Sequence, residues 1–103
     1  MRIKAMTTLR EHARGRDCQV RIIGVCNFDP STTVLAHVRM AGLTGMGLKA
    51  NDLAASWCCS ACHDETDRRT QRVGRDIALM ALYEGVLRTQ AQLVKHGILK
   101  VPA

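Results

Sequence analysis

At 103 residues and a formal charge of +6, the chain has the size of one small basic domain with limited capacity to bury apolar surface. One Trp, one Tyr and one Phe leave the core to Leu, Ile, Val, Met and Ala, so a bound metal would supply stability that such a core lacks. The N-terminus has no apolar run of the kind a signal peptide needs, and no stretch reaches transmembrane length. A membrane or exported protein is therefore not expected, and a cytoplasmic, reducing setting is.

In chain order, residues 1–16 carry Arg2, Lys4, Arg10, Arg14 and Arg16 and read as a basic arm with one helical turn. Cys18-Gln-Val-Arg-Ile-Ile23 alternates and is rich in β-branched residues, which predicts a strand turned at Gly24. Asn27-Phe-Asp-Pro30 has turn chemistry, and Thr32 to Val38 reads as a second strand. Gly42, Gly45 and Gly47 make residues 41–50 a loop, without the spacing or the Lys-Ser/Thr ending of a phosphate-binding loop. Asn51 or Asp52 is expected to cap a short helical turn through Trp57. A helix follows from near Ser60 to about Val73, then Gly74, then a last helix over Arg75 to His96. Ile77, Met80, Leu87 and Val94 approximate its apolar face, and Gly97 caps its C-terminus. The predicted order is strand, strand, metal knuckle, helix, helix, a single α+β domain over residues 1–103.

The strongest signal is chemical. Cys18 and Cys26 form one pair, and Cys59 and Cys62 another with the CxxC spacing that grips a tetrahedral zinc. Four buried thiols are the bland alternative, but two pairs in a reducing setting favour zinc, and four thiolates would close the ion's coordination as a structural site. The first pair is expected at the two ends of a β-hairpin. The fifth cysteine, Cys58, is the spare. Cys59-Ser-Ala-Cys62-His63 also matches a c-type haem attachment motif, with Met80 as a conceivable further ligand. The lack of an export signal, the scarcity of aromatics and the idle Cys18 and Cys26 argue against haem.

His63 and Asp67 are four residues apart and share a helix face, a reasonable pair for a divalent cation such as Mg²⁺ or Mn²⁺. The alternative is an acidic turn of Asp64, Glu65 and Asp67 that complements the helix dipole. His37, in a strand with Leu35, Ala36 and Val38, is commonly a satisfied core residue, yet imidazole is the side chain suited to activating water near neutral pH. Arg68 and Arg69 are candidates to hold flanking phosphates, or form an ordinary solvated face. The arginine-rich charge fits an anionic partner such as DNA.

A strand histidine, a glycine-rich loop and CxxCH opening a helix resemble the HNH endonucleases with a ββα-metal site and a structural zinc. More specifically, Ala13-Arg-Gly-Arg-Asp-Cys-Gln-Val-Arg-Ile, Gly24-Val-Cys26-Asn27, Leu35-Ala-His37-Val-Arg39 and Cys59-Ser-Ala-Cys-His-Asp-Glu-Thr-Asp-Arg-Arg69 resemble the YbcO-type family of prophage proteins, named as nucleases. That family is similar to the RecA-dependent HNH nucleases of phages, which would make a recombinase filament a partner. The resemblance spans nearly the whole chain. It implies a zinc-stapled ββα-metal domain with an additional C-terminal helix, in which Cys18, Cys26, Cys59 and Cys62 bind zinc. It also implies His37 as general base, His63 and Asp67 as ligands of a catalytic Mg²⁺ or Mn²⁺, and Arg39, Lys49, Arg68 and Arg69 at the DNA. Two departures stand out: Ala36 occupies a position that often carries a metal-binding His or Asp, and the middle Asn has no clear counterpart. Asn51 and Asp52 are its nearest candidates, out of register. The function expected is DNA hydrolysis; the alternative is a noncatalytic zinc module that binds DNA or a protein.

Overall fold

The computed structural model describes residues 8–40 and 51–102. Helix α1 (Leu9–Ala13) opens at Thr8, whose hydroxyl accepts from the Glu11 amide and donates to the Glu11 carboxylate, satisfying one orphan donor of the first turn. A 3₁₀ turn over Pro30–Thr32 is capped by the Asp29 carboxylate, which accepts from the Ser31 amide. It leads into β1 (Val34–His37). β1 pairs antiparallel with β2 (Ala55–Cys58) in the register Val34 to Cys58, Leu35 to Trp57, Ala36 to Ser56 and His37 to Ala55. Two helices follow, α2 (Ser60–Thr66) and α3 (Arg75–Lys95).

The long helix α3 packs against β2 at very short range. A Cβ built on Gly85 would lie 2.5 Å from Ser56 Oγ and 3.0 Å from Val20 Cγ2, so only glycine permits this crossing. The outer edge of the buried strand β2 is satisfied from two sides: the Trp57 amide donates to Thr89 Oγ1 at 3.0 Å, and the Trp57 carbonyl accepts from the Gln19 amide at 2.8 Å. Arg88 adds a second tie, with Nε and Nη2 donating to the Gln19 carbonyl at 2.9 and 2.7 Å. Gly97 ends α3 at φ 74°, where its amide bonds to Val94 and that of Ile98 to Leu93, the paired C-terminal cap that only a left-handed residue allows. The pleat splits the core. Ala36 and Cys58 join Cys18, Cys59, Cys62 and Leu82 on one side, while Leu35 and Trp57 join Ala13 and Leu93 on the other.

The α+β class is as predicted, but several elements differ. Cys18 to Ile23 forms no strand: Arg21 adopts φ 54° and Gly24 φ 79°, and the amides of Val25 and Cys26 turn back onto the Ile22 carbonyl. The first cysteine pair therefore sits on a wound loop and not on a β-hairpin. The predicted helical turn through Trp57 is instead strand β2, preceded by a turn in which Asn51 Oδ1 accepts from the Leu53 amide. Helix α2 stops at Thr66, seven residues short of Val73, because Arg68 at φ 62° turns the chain out of the helix. Finally, α3 packs through Ala78, Leu82, Gly85, Thr89 and Leu93; Ile77, Met80, Leu87 and Val94 are exposed. The loop at 41–50 lies outside the described residues.

Candidate metal centre and active site

The Sγ atoms of Cys18, Cys26, Cys59 and Cys62 all lie within 4.8 Å of one another, and those of Cys26 and Cys59 are 3.8 Å apart. A tetrahedral zinc with Zn–S near 2.3 Å requires thiolates about 3.8 Å apart, so four close cysteines of this geometry could hold a metal such as zinc. Local structure explains the gathering. Cys59 is the N-cap of α2 and its sulfur accepts from the Cys62 amide at 3.3 Å, while the loop wound around Ile22 brings in Cys18 and Cys26. The helix N-terminus favours negative charge at this point.

The packed sulfurs shift one another's acidity. Hydrogen bonds from Cys58 and Cys62 pull the Cys18 thiol far below its ordinary range. The same bonds to Cys18, together with burial, push Cys58 and Cys62 far up, and burial pushes Cys26 up to about 11. Cys58, fully buried, stands outside the set of four and donates to one of its members. The two cysteines of the haem-like motif belong to this four-thiol cluster, and Met80 lies on the outer side of α3, 59 % exposed.

His37 and His63 belong to two separate pairs. His37, only 14 % exposed in its side chain, has Nε2 2.7 Å from Asp52 Oδ1, and Arg10 of α1 approaches the same oxygen at 3.7 Å. The bond from His37 holds the Asp52 carboxyl below its ordinary value. His63 Nε2 lies 3.4 Å from Asp67 Oδ2, and Arg69 Nη2 is 3.7 Å from that oxygen. His37 shares its strand face with Leu35, whereas the α2 cysteines pack on the Ala36 side. Among the described residues, no hydrogen bond or ion pair joins the two pairs.

The candidate phosphate ligands also differ from one another. Arg68 is committed internally, with Nη1 3.5 Å from Glu65 Oε2 and Nη2 donating to the Val73 carbonyl at 3.1 Å. Arg69, 64 % exposed, pairs with Asp64 at 3.1 Å, and Arg39 is exposed two residues past β1. Lys49 lies outside the described residues. Four residues make contacts that the sequence did not signal: Asp52, Glu65, His12 and His96. Asp52 was assigned to a helix cap or an out-of-register motif position, with nothing in the spacing to tie it to His37. Glu65, expected in an acidic turn that complements the helix dipole, is fully buried and accepts from Thr70 Oγ1 at 2.6 Å and the Val73 amide at 2.9 Å, which hold its carboxyl below the ordinary value. His12 and His96 meet at 3.2 Å from opposite ends of the chain, each with its ring 5.9 Å from that of Trp57.

Comparison with known proteins places the chain. It is 55% identical over 95 residues to the protein named "Putative nuclease YbcO" of Escherichia coli K12, covering 92% of this chain and 99% of that one. The same identity and coverage hold for "Putative nuclease ybcO" of Enterobacteria phage 82. A solved structure, that of a putative bacteriophage protein from Escherichia coli K-12, matches with a TM-score of 0.75 and 49% identity, covering 87% of this chain and all of the other. No helix among the described residues is long and apolar enough to cross a membrane. With residues 7–98 matched by the family model described as "Putative nuclease YbcO", the chain belongs to the YbcO family.

Proposed function

We propose that this protein is an HNH-type endonuclease that hydrolyses DNA phosphodiester bonds, built on a ββα-metal domain stapled by a structural zinc at Cys18, Cys26, Cys59 and Cys62. The observation that carries the reading is the 2.7 Å contact between His37 Nε2 and Asp52. An ionised carboxylate only accepts, so Nε2 carries the proton and Nδ1 is left as the basic nitrogen. That is the tautomer a water-activating base requires, held in orientation by a carboxylate on the adjoining turn. The nuclease names carried by the YbcO relatives support the same chemistry.

His63 and Asp67 would hold the catalytic Mg²⁺ or Mn²⁺, and their nitrogen and oxygen, 3.4 Å apart, suit one such cation. When bound, that ion stabilises charge on the leaving oxygen. His37 takes the proton from the attacking water at Nδ1, Asp52 fixes the ring, and Arg69 and Arg39 position the phosphate backbone. Incubation of purified protein with supercoiled plasmid and Mg²⁺ or Mn²⁺ tests the proposal: nicking that is lost in His37→Ala supports it, and equal cutting by that variant refutes the assigned base.

Two observations favour a second reading, a zinc-stapled module that binds nucleic acid or a protein without cutting. Ala36 contributes only a buried methyl where HNH enzymes often place a ligand, and Arg69 competes for the Asp67 carboxylate. Plasmid binding without cleavage under every cation tested would select it.

A further inference from the structure

Phe28 is the chain's one phenylalanine, and it stands 76 % exposed at a backbone φ of 53°. Each property is unfavourable by itself: the ring forgoes burial, and a bulky side chain at left-handed φ crowds its own backbone. Asn or Gly would relieve both at this position. The loop nonetheless holds the residue firmly. Asn27 Oδ1 accepts from the Asp29 amide at 2.9 Å, Asp29 Oδ1 accepts from the Ser31 amide at 3.0 Å, and Thr32 Oγ1 donates to the Asp29 carbonyl at 2.8 Å. Strain that the surroundings enforce, under an exposed aromatic ring, points to a role in contact with a ligand.

The same loop is fastened beside the candidate cation pair. Asn27 Nδ2 donates to Ser60 Oγ at 3.1 Å, and the Ser60 amide donates to Thr32 Oγ1 at 3.1 Å. Ser60 opens α2, and at about 100° per residue it shares a helix face with His63, Asp64 and Asp67. Phe28 is thus carried on a brace anchored one helical turn before His63. Two features select what the ring meets. Asn27, Asp29 and Ser31 around it are exposed and polar, so Phe28 heads no apolar patch of the kind a protein partner buries. The chain also carries a charge of +6, and a nucleic-acid strand joins negative charge to flat π faces. In a duplex those faces are covered by neighbouring base pairs, whereas an unpaired strand presents them.

We propose that Phe28 is a stacking platform for a nucleobase of an unpaired DNA strand, next to the phosphate that His63 and Asp67 would engage. This rests on the proposed nuclease function for the identity of the polymer and names the form of DNA that the site takes.

The test is fluorescence anisotropy of the full zinc-loaded chain with a labelled single-stranded oligonucleotide and its duplex, with no Mg²⁺ or Mn²⁺ added. The wild type should bind the single strand more tightly than the duplex. Phe28→Asn should weaken single-strand binding by about five- to a hundredfold, the range for losing one stacked base. Its melting temperature should stay level or rise, because Asn suits left-handed φ. Phe28→Trp should keep the affinity. On a strand of abasic sugars the wild type should fall to the level of Phe28→Asn, since both lack the same contact. A Phe28→Asn variant that binds as the wild type does, or that still prefers bases over abasic sugars by the wild-type factor, overturns the platform. Unfolding of Phe28→Asn also overturns it, by making the ring structural, and a Phe28-dependent preference for duplex overturns the unpaired strand in favour of a wedge between base pairs. Because binding is read without a catalytic cation, intact Phe28-dependent stacking in a protein that never nicks plasmid refutes the nuclease chemistry alone.

Discussion

Asp52 Oδ1 accepts from His37 Nε2 at 2.7 Å, linking the last residue of β1 to the turn that enters β2. This contact ties the candidate base to a carboxylate, and through Arg10 at 3.7 Å to α1. Removing His37 should therefore lower plasmid cleavage on the order of a hundred- to ten-thousandfold without loss of zinc or fold. Asp52→Asn should reduce the rate by a smaller factor, because the amide can bond the ring in either tautomer and no longer enforces the productive one. Single-turnover cleavage rates with calorimetric melting as the fold control check both. Should His37→Ala unfold, the histidine is a structural member of the sheet.

The chain should purify with about one zinc, bound by thiolates, and lose its cooperative transition when the ion is chelated. Cys59→Ser should lower the zinc content. Cys58→Ser should keep it at one per chain yet reduce thermal stability, since Cys58 is fully buried and its thiol supports Cys18. Elemental analysis of each variant beside its melting curve separates the two effects.

Arg68 and Arg69, adjacent in sequence, should behave oppositely. Arg68→Ala removes the cation beside the buried Glu65 carboxylate and the tie to the Val73 carbonyl, and should lower the melting temperature while Thr70 and Val73 still hold Glu65 and the salt dependence of DNA binding stays unchanged. Arg69→Ala should leave stability nearly intact, its ion pairs being mostly in water, and reduce the slope of log affinity against log salt by about 0.9 if it contacts one phosphate of a duplex. Fluorescence anisotropy at several salt concentrations reads the slope.

Burial, the Arg16 guanidinium and His96 all hold the His12 imidazole below its ordinary value of 6.5. Arg16 Nη2 lies 3.4 Å from His12 Nδ1, so His12 is neutral and donates through Nε2 to His96. Because the folded value is depressed, the stabilising neutral form is fully present above pH 6.5, and that stability is lost as pH falls through the folded value. Melting temperature should drop between neutral and mildly acid pH, with a change in Trp57 emission as the His12 ring beside it charges. His12→Gln should flatten this step while leaving the later acid loss carried by Asp52 and Glu65.

Adding a methyl at Gly85 should cost about 1–3 kcal/mol by overpacking, since Ser56 Oγ and the Gln19 backbone both stand in its place. Urea denaturation of Gly85→Ala measures this directly.

The cysteine cluster was legible in the sequence because thiol spacing signals a shared site without reference to the fold. The span of α3 and its Gly97 cap were legible for a similar reason, being local chemistry. What failed was long-range. Ala55-Ser-Trp-Cys58 carries little strand propensity and becomes one because Thr89 and Leu35 flank it. Cys18 to Ile23 has strand propensity but winds as a loop that delivers Cys18 and Cys26 to the cluster. The face of α3 was misassigned because close packing selected small residues, Ala78, Gly85 and Thr89, over the larger apolar side chains that periodicity weighs most.

The cysteine cluster also sets how freely the chain can vary. Cys26 and Cys59, whose sulfurs are 3.8 Å apart, stand 33 positions from one another, so bridging them closes a loop that contains both strands and residues 41–50. Closure entropy grows only with the logarithm of loop length, so a bridge that holds this loop would lose only about 0.6 kcal/mol if its length doubled. Insertions between Met40 and Asn51 should therefore be thermodynamically mild, while a single residue added between Cys59 and Cys62 would break the cap that aims two sulfurs at one point. The stretch between the strands is where relatives of this domain can diverge in length and still fold.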